Sequence, residues 1–354
     1  MNSVFCDLLL KWDKKSNDRP MPWKGEKDPY KIWLSEIILQ QTRVEQGWAY
    51  YERFVKKYPS LRKLAAANDN EVFKLWEGLG YYNRCKNLLF TARHIANNLD
   101  GKFPDSYEAL LSLKGVGPYT AAAIASFAYN LPHAVVDGNV FRVFARYFGI
   151  HTPTDTKNGL AIFNKIALEN LAKSKAGIYN QALMDFGATV CKPMSPLCSS
   201  CVMQSTCKAF AQNEVGQLPV KLKVIQKKKR YFDYFCFKVE DRWWLQQRGV
   251  GDIWANLHQF YLIEQEKVMP ASTSYFTELV CNQLLVKPNS FSISFPDKLY
   301  TQQLTHQLLQ VRFVVVNFNK IPKALEKGTW VKTNDLKQFA FPKTIKLFLE
   351  EQAH

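Results

Sequence analysis

The spacing of hydrophobic positions divides the chain into two parts with different predicted secondary structure. Between about residues 30 and 208, apolar side chains such as Ile32, Trp33 and Leu39 recur at helical spacing, which predicts a series of helices. Beyond residue 230 the chain becomes aromatic and β-branched, which is typical of strands. The elements predicted there are strands at 231–239, 243–247 and 311–318, a turn at 240–241, and a closing helix at 344–350.

These patterns predict two domains joined by a linker. We expect a mainly α N-terminal domain at residues 1–208, a linker at 209–230, and a C-terminal α+β domain at 231–354. The linker contains a proline and ends in four consecutive basic residues, 227–230, a composition suited to contact with phosphates. A chain of 354 residues is long enough to bury two hydrophobic cores.

The charge balance favours a polyanionic partner. The chain has 47 Lys and Arg against 31 Asp and Glu, a formal net charge of +16, which attracts DNA, RNA or an anionic membrane. No apolar run approaches the length that spans a bilayer, and the first fifteen residues mix acids and bases as no signal peptide does. We therefore expect no membrane segment and a cytoplasmic, nucleoid-associated protein.

Four of the eight cysteines fall close together and predict a metal site. They have the spacing C-x6-C-x2-C-x5-C, in a polar and proline-containing loop that is a poor place for buried apolar thiols: Cys191, Cys198, Cys201 and Cys207. Four thiolates so spaced suit a structural zinc ion or an iron–sulfur cluster, and the spacing alone leaves both open. The other cysteines are scattered singly, as reduced thiols are.

A glycine turn between two helical segments predicts a site for DNA phosphates. In the segment LLSLKGVGPYTAAAIASFAY, Gly115 and Gly117 permit a tight turn, and Pro118 suits the first position of the next helix. The free amides at the start of a helix bind anions, and such contacts to a DNA backbone are independent of sequence.

Two carboxylates have the placement expected of a pair that cleaves a glycosidic bond. Glu36 shares a helix face with apolar residues, and burial there raises a carboxyl pKa toward the range of a general acid. Asp137 precedes a helix, whose terminal amides we expect to lower its pKa and keep it ionised beside a developing cation. Two acids with separated pKa values are typical of such enzymes.

Several motifs in one order resemble the MutY-type adenine DNA glycosylases, members of the helix-hairpin-helix superfamily that carry a [4Fe–4S] cluster. The motifs are SEIILQQTR, WEGLGYYNR, LKGVGPYT, VDGNV and NQALMDFGA, followed by the four cysteines. The resemblance covers most of residues 19–207. It implies a monomeric enzyme that binds double-stranded DNA and removes adenine mispaired with 8-oxoguanine or guanine, and it favours the iron–sulfur cluster over zinc.

The resemblance also implies individual roles. Glu36 would protonate N7 of a flipped adenine. Asp137 would stabilise the oxocarbenium ion, covalently or electrostatically, with support from Tyr119 and Asn139, which would also position the nucleophile. Gln181 would read the edge of the adenine. The remaining implied contacts are Gln41 and Thr42 with the opposing 8-oxoguanine, and Leu79 and Tyr81 as a wedge in the base stack.

The C-terminal part resembles the Nudix-like module with which this family recognises 8-oxoguanine. It lacks the acidic R-E-x-x-E-E helix of true Nudix hydrolases, so we expect no pyrophosphatase activity. The family's Phe-Ser-His recognition loop would correspond to Leu304, Thr305 and His306, where the hydroxyl and the imidazole are kept and the aromatic ring is not.

Two other functions are consistent with parts of the sequence. An endonuclease III-type glycosylase and lyase shares the hairpin and the cysteines, but it uses a lysine nucleophile where this chain has Tyr119, and a phenol forms no imine. Phe141 likewise replaces a lysine that some MutY-type enzymes carry. A non-enzymatic DNA-binding module would gain nothing from a desolvated Glu36. We therefore expect a monofunctional glycosylase.

Overall fold

The computed structural model describes residues 3–222, 226–249, 251–326 and 328–352. Its helices, in chain order, are α1 (Ser3–Ser16), α2 (Pro29–Leu39), α3 (Val44–Lys57), α4 (Leu61–Ala65), α5 (Asp69–Trp76), α6 (Asn83–Asn98), α7 (Tyr107–Leu111), α8 (Pro118–Tyr129), α9 (Gly138–Phe148), α10 (Lys157–Asn170), α11 (Ala176–Thr189), α12 (Lys208–Ala211), α13 (Thr273–Leu284) and α14 (Lys343–Glu351). Its strands are β1 (Lys228–Val239), β2 (Arg242–Gln247), β3 (His258–Gln259), β4 (Tyr261–Gln265), β5 (Phe291–Ser294), β6 (Tyr300–Gln303), β7 (Gln307–Phe318) and β8 (Thr329–Lys332).

The chain forms two compact units, and their division does not follow the chain strictly. The first unit comprises residues 1–67 and 86–223, and the second comprises residues 68–85 and 224–354. Helix α5 and the loop that follows it therefore pack with the C-terminal sheet. Residues 223–225 of the predicted linker lie outside the described residues.

The first unit is helical, as its periodicity predicts. Its core is formed where α1, α9 and α11 bury their apolar faces against one another, with Phe5, Phe144 and Phe186 almost fully buried. Helix α9 is strongly amphipathic, begins at the capping side chain of Asp137 and ends at Gly149, which has a positive φ of 66°. This helix therefore places a carboxylate at its first turn while its apolar face packs in the core.

The second unit contains a mixed sheet with helices on both faces. Strands β1 and β7 are its long central pair and run parallel, from Lys228 opposite Gln307 to Lys238 opposite Asn317. The main order is β3-β2-β1-β7-β5, with β4 on β1, β6 on β7 and β8 on β2. Both faces are covered, so the centres of β1 and β7 are continuously buried.

Alternate residues of the central strands face different helices. Phe235 packs against Phe276 of α13, with ring centroids 6.0 Å apart, whereas Phe313 stacks on Phe348 of α14 at 4.2 Å. The strands predicted at 231–239, 243–247 and 311–318 are confirmed with the same last residue and a start one to four residues earlier, and the helix predicted at 344–350 is confirmed within one residue at each end. In the part of the chain that the structure describes, no helix is both long and apolar enough to cross a bilayer.

Candidate active site

Glu36 lies on the buried face of α2, as its apolar neighbours predict. The helix begins with Pro29 at its first position, and the Asp28 side chain accepts a hydrogen bond from Tyr30 N. Only 6% of Glu36 is exposed. Burial, together with the negative charge of Asp137, raises the pKa of the Glu36 carboxyl from 4.5 to about 7, although a hydrogen bond with Tyr119 acts in the opposite direction. The side chain can therefore hold a proton near neutral pH.

Asp137 caps helix α9 through its side chain. Its Oδ1 accepts a hydrogen bond from Val140 N at 2.8 Å, and its Oδ2 accepts one from Asn139 Nδ2 at 2.7 Å. The predicted direction of its pKa is wrong. Burial raises the pKa of the carboxyl, and the hydrogen bonds from the helix amides and Asn139, together with the charge of Arg142, only partly oppose that effect. The sequence pattern showed the cap but not the burial.

Tyr119 and Asn139 complete this group. The Tyr119 hydroxyl hydrogen-bonds Glu36 and lies 3.6 Å from Met184 Sδ, and burial raises the pKa of the phenol well above its usual range. The phenol therefore stays protonated at physiological pH. Asn139 donates to Asp137 and receives a hydrogen bond from Arg142, so its amide orientation is determined from both sides. The structure thus brings all four predicted catalytic residues together.

Gln181 lines a pocket of about 190 Å³ that Glu36 also lines. Its Nε2 donates to Asp185 Oδ1 at 3.0 Å, one helical turn further along α11. Asp185 is fully buried and also accepts hydrogen bonds from Asn17 at 3.0 Å and from Arg19 at 2.9 Å.

Sequence reasoning missed Asp185, although its placement on a helix with apolar neighbours is the signal that identified Glu36. Lys24 Nζ lies 3.3 Å from its Oδ2, so the buried charge has two cationic partners, Lys24 and Arg19. These ion pairs join the N-terminal segment to α11. They therefore fix one wall of the pocket, which Lys24 and Gln181 line.

Arg142 is a second residue that sequence reasoning missed. Its Nε donates to Cys191 O at 2.7 Å, and its Nη2 donates to Asn139 Oδ1 at 2.8 Å and to Gly187 O at 2.7 Å. One guanidinium therefore connects the start of the cysteine loop with the Asp137 and Asn139 pair.

The four clustered cysteines line a single pocket, together with Arg146 and apolar side chains. Arg146 Nη1 lies 3.5 Å from Cys191 Sγ, and Met203 N lies 3.4 Å from Cys201 Sγ, so N–H donors face two of the sulfurs. Among the residues described, no group of three or more His, Cys, Asp or Glu side chains forms a site for a single metal ion.

The predicted phosphate hairpin has the expected geometry. Gly115 has a φ of 80°, and a Cβ there would lie 2.8 Å from Asn87 Cβ, so this position requires glycine. Gly117 is the N-cap of α8, and Pro118 is its first residue. A Cβ at Gly117 would meet no atom within 4 Å, so the space beside this end of the turn is open.

Gln41 and Thr42 lie in the turn that follows α2. Gln41 is exposed and has a left-handed φ of 56°, while Thr42 is half-buried. Gln40, which precedes them, donates from its amide to the Thr120 hydroxyl at 3.3 Å. The turn is therefore attached to α8 by a side-chain hydrogen bond.

The remaining predicted contacts lie in the second unit. Tyr81 is 45% exposed, but Leu79 is only 5% exposed, so the structure places Tyr81 alone of this pair at the surface. The stretch of Leu304, Thr305 and His306 is the tight turn between β6 and β7, closed by a hydrogen bond from Leu304 N to Gln307 O at 2.8 Å. The Tyr81 and Thr305 hydroxyls hydrogen-bond each other.

This fold and site define a class of DNA repair protein. Residues 34–166 match the family described as "HhH-GPD superfamily base excision DNA repair protein". A solved structure titled as a thermostable thymine-DNA glycosylase is 31% identical and has a TM-score of 0.55, covering 59% of this chain and 96% of its own.

Curated relatives identify the family within this class. The adenine DNA glycosylase of Buchnera aphidicola subsp. Baizongia pistaciae is 32% identical over 96% of this chain and 94% of its own length. That of Mus musculus is 41% identical over 61% of this chain and 44% of its own length. The chain belongs to the adenine DNA glycosylases, enzymes of base excision DNA repair.

Proposed function

We propose that this enzyme hydrolyses the N-glycosidic bond of adenine mispaired with 8-oxoguanine or guanine in double-stranded DNA. The observation that supports this most directly is Glu36, a buried acid whose pKa is raised to about 7, in the wall of the same pocket as Gln181. A pocket that combines a general acid with an amide able to pair with a base suits a nucleobase flipped out of the duplex.

The acid would act on the leaving group. Glu36 transfers its proton to N7 of the flipped adenine, so that the bond between N9 and the sugar carbon breaks with the electron pair remaining on the base. The sugar becomes an oxocarbenium ion, which the carboxylate of Asp137 stabilises. Water then adds to the sugar carbon and loses a proton, which leaves an abasic site and free adenine. The neutral phenol of Tyr119 supplies no amine for strand cleavage.

Gln181 would select the base by a hydrogen bond of known polarity. A carboxylate only accepts hydrogen bonds, so the N–H of the Gln181 amide must face Asp185. The carbonyl oxygen is then the end available to a base, and it accepts from the exocyclic N6 amino group of adenine. Guanine has a carbonyl oxygen at the corresponding position, which would repel it.

The duplex would be held mainly through its backbone. The amides of the turn at Gly115 and Gly117 suit a phosphate oxygen, and the net charge of +16 adds attraction that is independent of sequence. Tyr81 would enter the stack where the adenine has left it, and Gln41 and Thr42 would contact the opposing base. We propose that Leu79 supports this wedge from below and does not insert.

The four cysteines would hold a [4Fe–4S] cluster. The donor set fits, because four thiols line one pocket and N–H groups of Arg146 and Met203 face two of the sulfurs, as hydrogen-bond donors to cluster sulfurs do. We assign the cluster a structural role, since it would shape the loop that Arg142 joins to Asn139.

The second unit would recognise 8-oxoguanine as a Nudix-like domain, with the turn at Thr305 and His306 as its reading loop. We propose a linker at 209–230 between a domain at 1–208 and a domain at 231–354, with residues 68–85 packed in the second unit. The mixed sheet between helices supports the Nudix-like assignment. The enzyme would act as a monomer in the cytoplasm.

One assay tests the proposal against its main alternative. Purified protein is incubated under single-turnover conditions with a duplex that carries one A opposite 8-oxoguanine, and the strands are analysed with and without alkali. Strand scission only after alkali supports a monofunctional glycosylase, whereas scission without alkali supports an endonuclease III-type lyase. A duplex with T opposite guanine serves as control, and release of thymine without release of adenine would refute the proposal.

A further inference from the structure

Glu77 lies at the junction between helix α5 and the loop that carries Tyr81, and its carboxylate is buried. Its side chain is 7% exposed, and its Oε1 accepts a hydrogen bond from Phe341 N at 2.9 Å. Its Oε2 lies 2.8 Å from Lys74 Nζ and 3.8 Å from Lys346 Nζ. A buried carboxylate with two hydrogen-bond donors and a second cation nearby is held in one position, because moving it would leave a charge without compensation.

Lys74 forms a second connection to the same backbone segment. Its Nζ donates to Phe339 O at 2.9 Å, two residues before the amide that Glu77 binds. The intervening Ala340 is buried, and its carbonyl accepts a hydrogen bond from His258 N at 2.9 Å. The segment that receives both contacts is therefore fixed to the sheet. We call the Lys74 and Glu77 contacts with this segment the clasp.

The loop after Glu77 has little freedom to absorb movement at its start. Gly78, Gly80 and Tyr81 all have positive φ angles, of 92°, 79° and 50°. The carbonyl of Gly80 accepts hydrogen bonds from Trp76 Nε1 at 3.0 Å and from Arg84 at 3.2 Å. Because Trp76 is the last residue of α5 and Gly80 directly precedes Tyr81, the first of these bonds ties the tip of the loop to its start.

The tip of the loop meets the turn between β6 and β7, where the hydroxyls of Tyr81 and Thr305 bond to each other. The guanidinium of Arg84 lies over the Tyr81 ring, 5.4 Å from its centroid. The loop is thus attached to the rest of the second unit at two points, by the clasp at its start and by the hydroxyl pair at its tip.

We propose that Glu77 is a positioning residue for discrimination of the base opposite adenine. Glu77 acts through the loop and does not touch DNA. The clasp holds Tyr81 beside Thr305 before DNA binds. The Tyr81 wedge and the reading loop at Thr305 can therefore contact the opposing base together. Without the clasp, part of the binding energy of 8-oxoguanine would be spent on ordering the loop. The inference rests on the proposed function of the enzyme and of its second unit.

The test compares single-turnover rates of adenine release opposite 8-oxoguanine and opposite guanine. Glu77→Ala removes the hydrogen bond to Phe341 N, and we expect the ratio of the two rates to fall about tenfold, the effect of one buried charge-assisted hydrogen bond. Glu77→Gln keeps an acceptor for that amide and should restore most of the ratio. Glu350→Ala is the matched control, because it removes the other carboxylate near Lys346, 4.0 Å away, and should leave the ratio unchanged.

Two further measurements separate positioning from a general loss of structure. Hydrogen exchange should accelerate in peptides covering 78–82 and 339–341 in Glu77→Ala but not in Glu350→Ala. Combined with Thr305→Ala, the Glu77→Ala change should lower the ratio less than the sum of the single effects, because both act through one contact.

The outcomes distinguish the inference from the function on which it rests. No adenine release by the wild-type protein would refute the proposed function, and the inference with it. Release with a ratio that Glu77→Ala leaves unchanged would refute the inference alone. Equal losses of both rates, or an equal fall of the ratio in Glu350→Ala, would also overturn it, since either would show a role in stability only.

Discussion

The raised pKa of Glu36 should make this residue costly for stability at neutral and alkaline pH. A carboxyl whose pKa is 4.5 in the unfolded chain and about 7 in the folded protein favours the folded state only when protonated. Between pH 4.5 and about pH 7, the folded state binds one proton more than the unfolded state. The stabilisation that this proton provides is therefore complete below pH 4.5 and is lost as the pH rises through about 7. At about 1.4 kcal/mol per pH unit, the loss amounts to about 3 kcal/mol.

The variant Glu36→Gln isolates this effect, because the amide has nearly the same shape and no charge. Urea unfolding followed by far-UV circular dichroism should show the variant gaining about 2–3 kcal/mol relative to wild type between about pH 5 and about pH 8.5. Other titrating groups cancel in the comparison, and the m values should agree. A difference between the two proteins that does not change with pH would refute a raised pKa at Glu36.

Three further predictions concern the same unit. The rate of adenine release should fall about tenfold per pH unit above about pH 7 in single-turnover assays, since only protonated Glu36 can donate; a constant rate to about pH 9 would exclude it as the acid. Asp185→Asn and Gln181→Leu should each reduce the preference for adenine over unsubstituted purine, measured in competition assays. The double variant should lose no more of this preference than Gln181→Leu alone. Purified protein should contain about four iron atoms per chain by metal analysis, and Cys198→Ser should lower that content; stoichiometric zinc in place of iron would contradict the cluster assignment.

Local patterns were sufficient to predict much of the fold. Helical periodicity identified α2, the glycine turn identified the start of α8, and the β-branched stretches identified β1 and β7. These features depend on neighbours in the chain, so a single sequence contains them. Glu36 was predictable for the same reason, because its helix places it among apolar residues.

Features that depend on distant partners were not predictable. Asp185 binds residues at positions 17 and 19, more than 160 residues away, and no local spacing relates them. The pKa of Asp137 depends on how deeply the first turn of α9 is buried, which the cap motif does not show. Similarly, the grouping of α5 with the C-terminal sheet rests on the contacts of Lys74 and Glu77 with residues 339–341.

Glu36 is the proposed donor of the proton that releases adenine from DNA. The most direct test of this role measures base release and duplex affinity together for wild type and Glu36→Gln, on a duplex with A opposite 8-oxoguanine. We expect the variant to bind this duplex nearly as tightly as wild type and to release adenine at least about a hundredfold more slowly under single-turnover conditions. Release at the wild-type rate, or a loss of affinity as large as the loss of rate, would contradict this role.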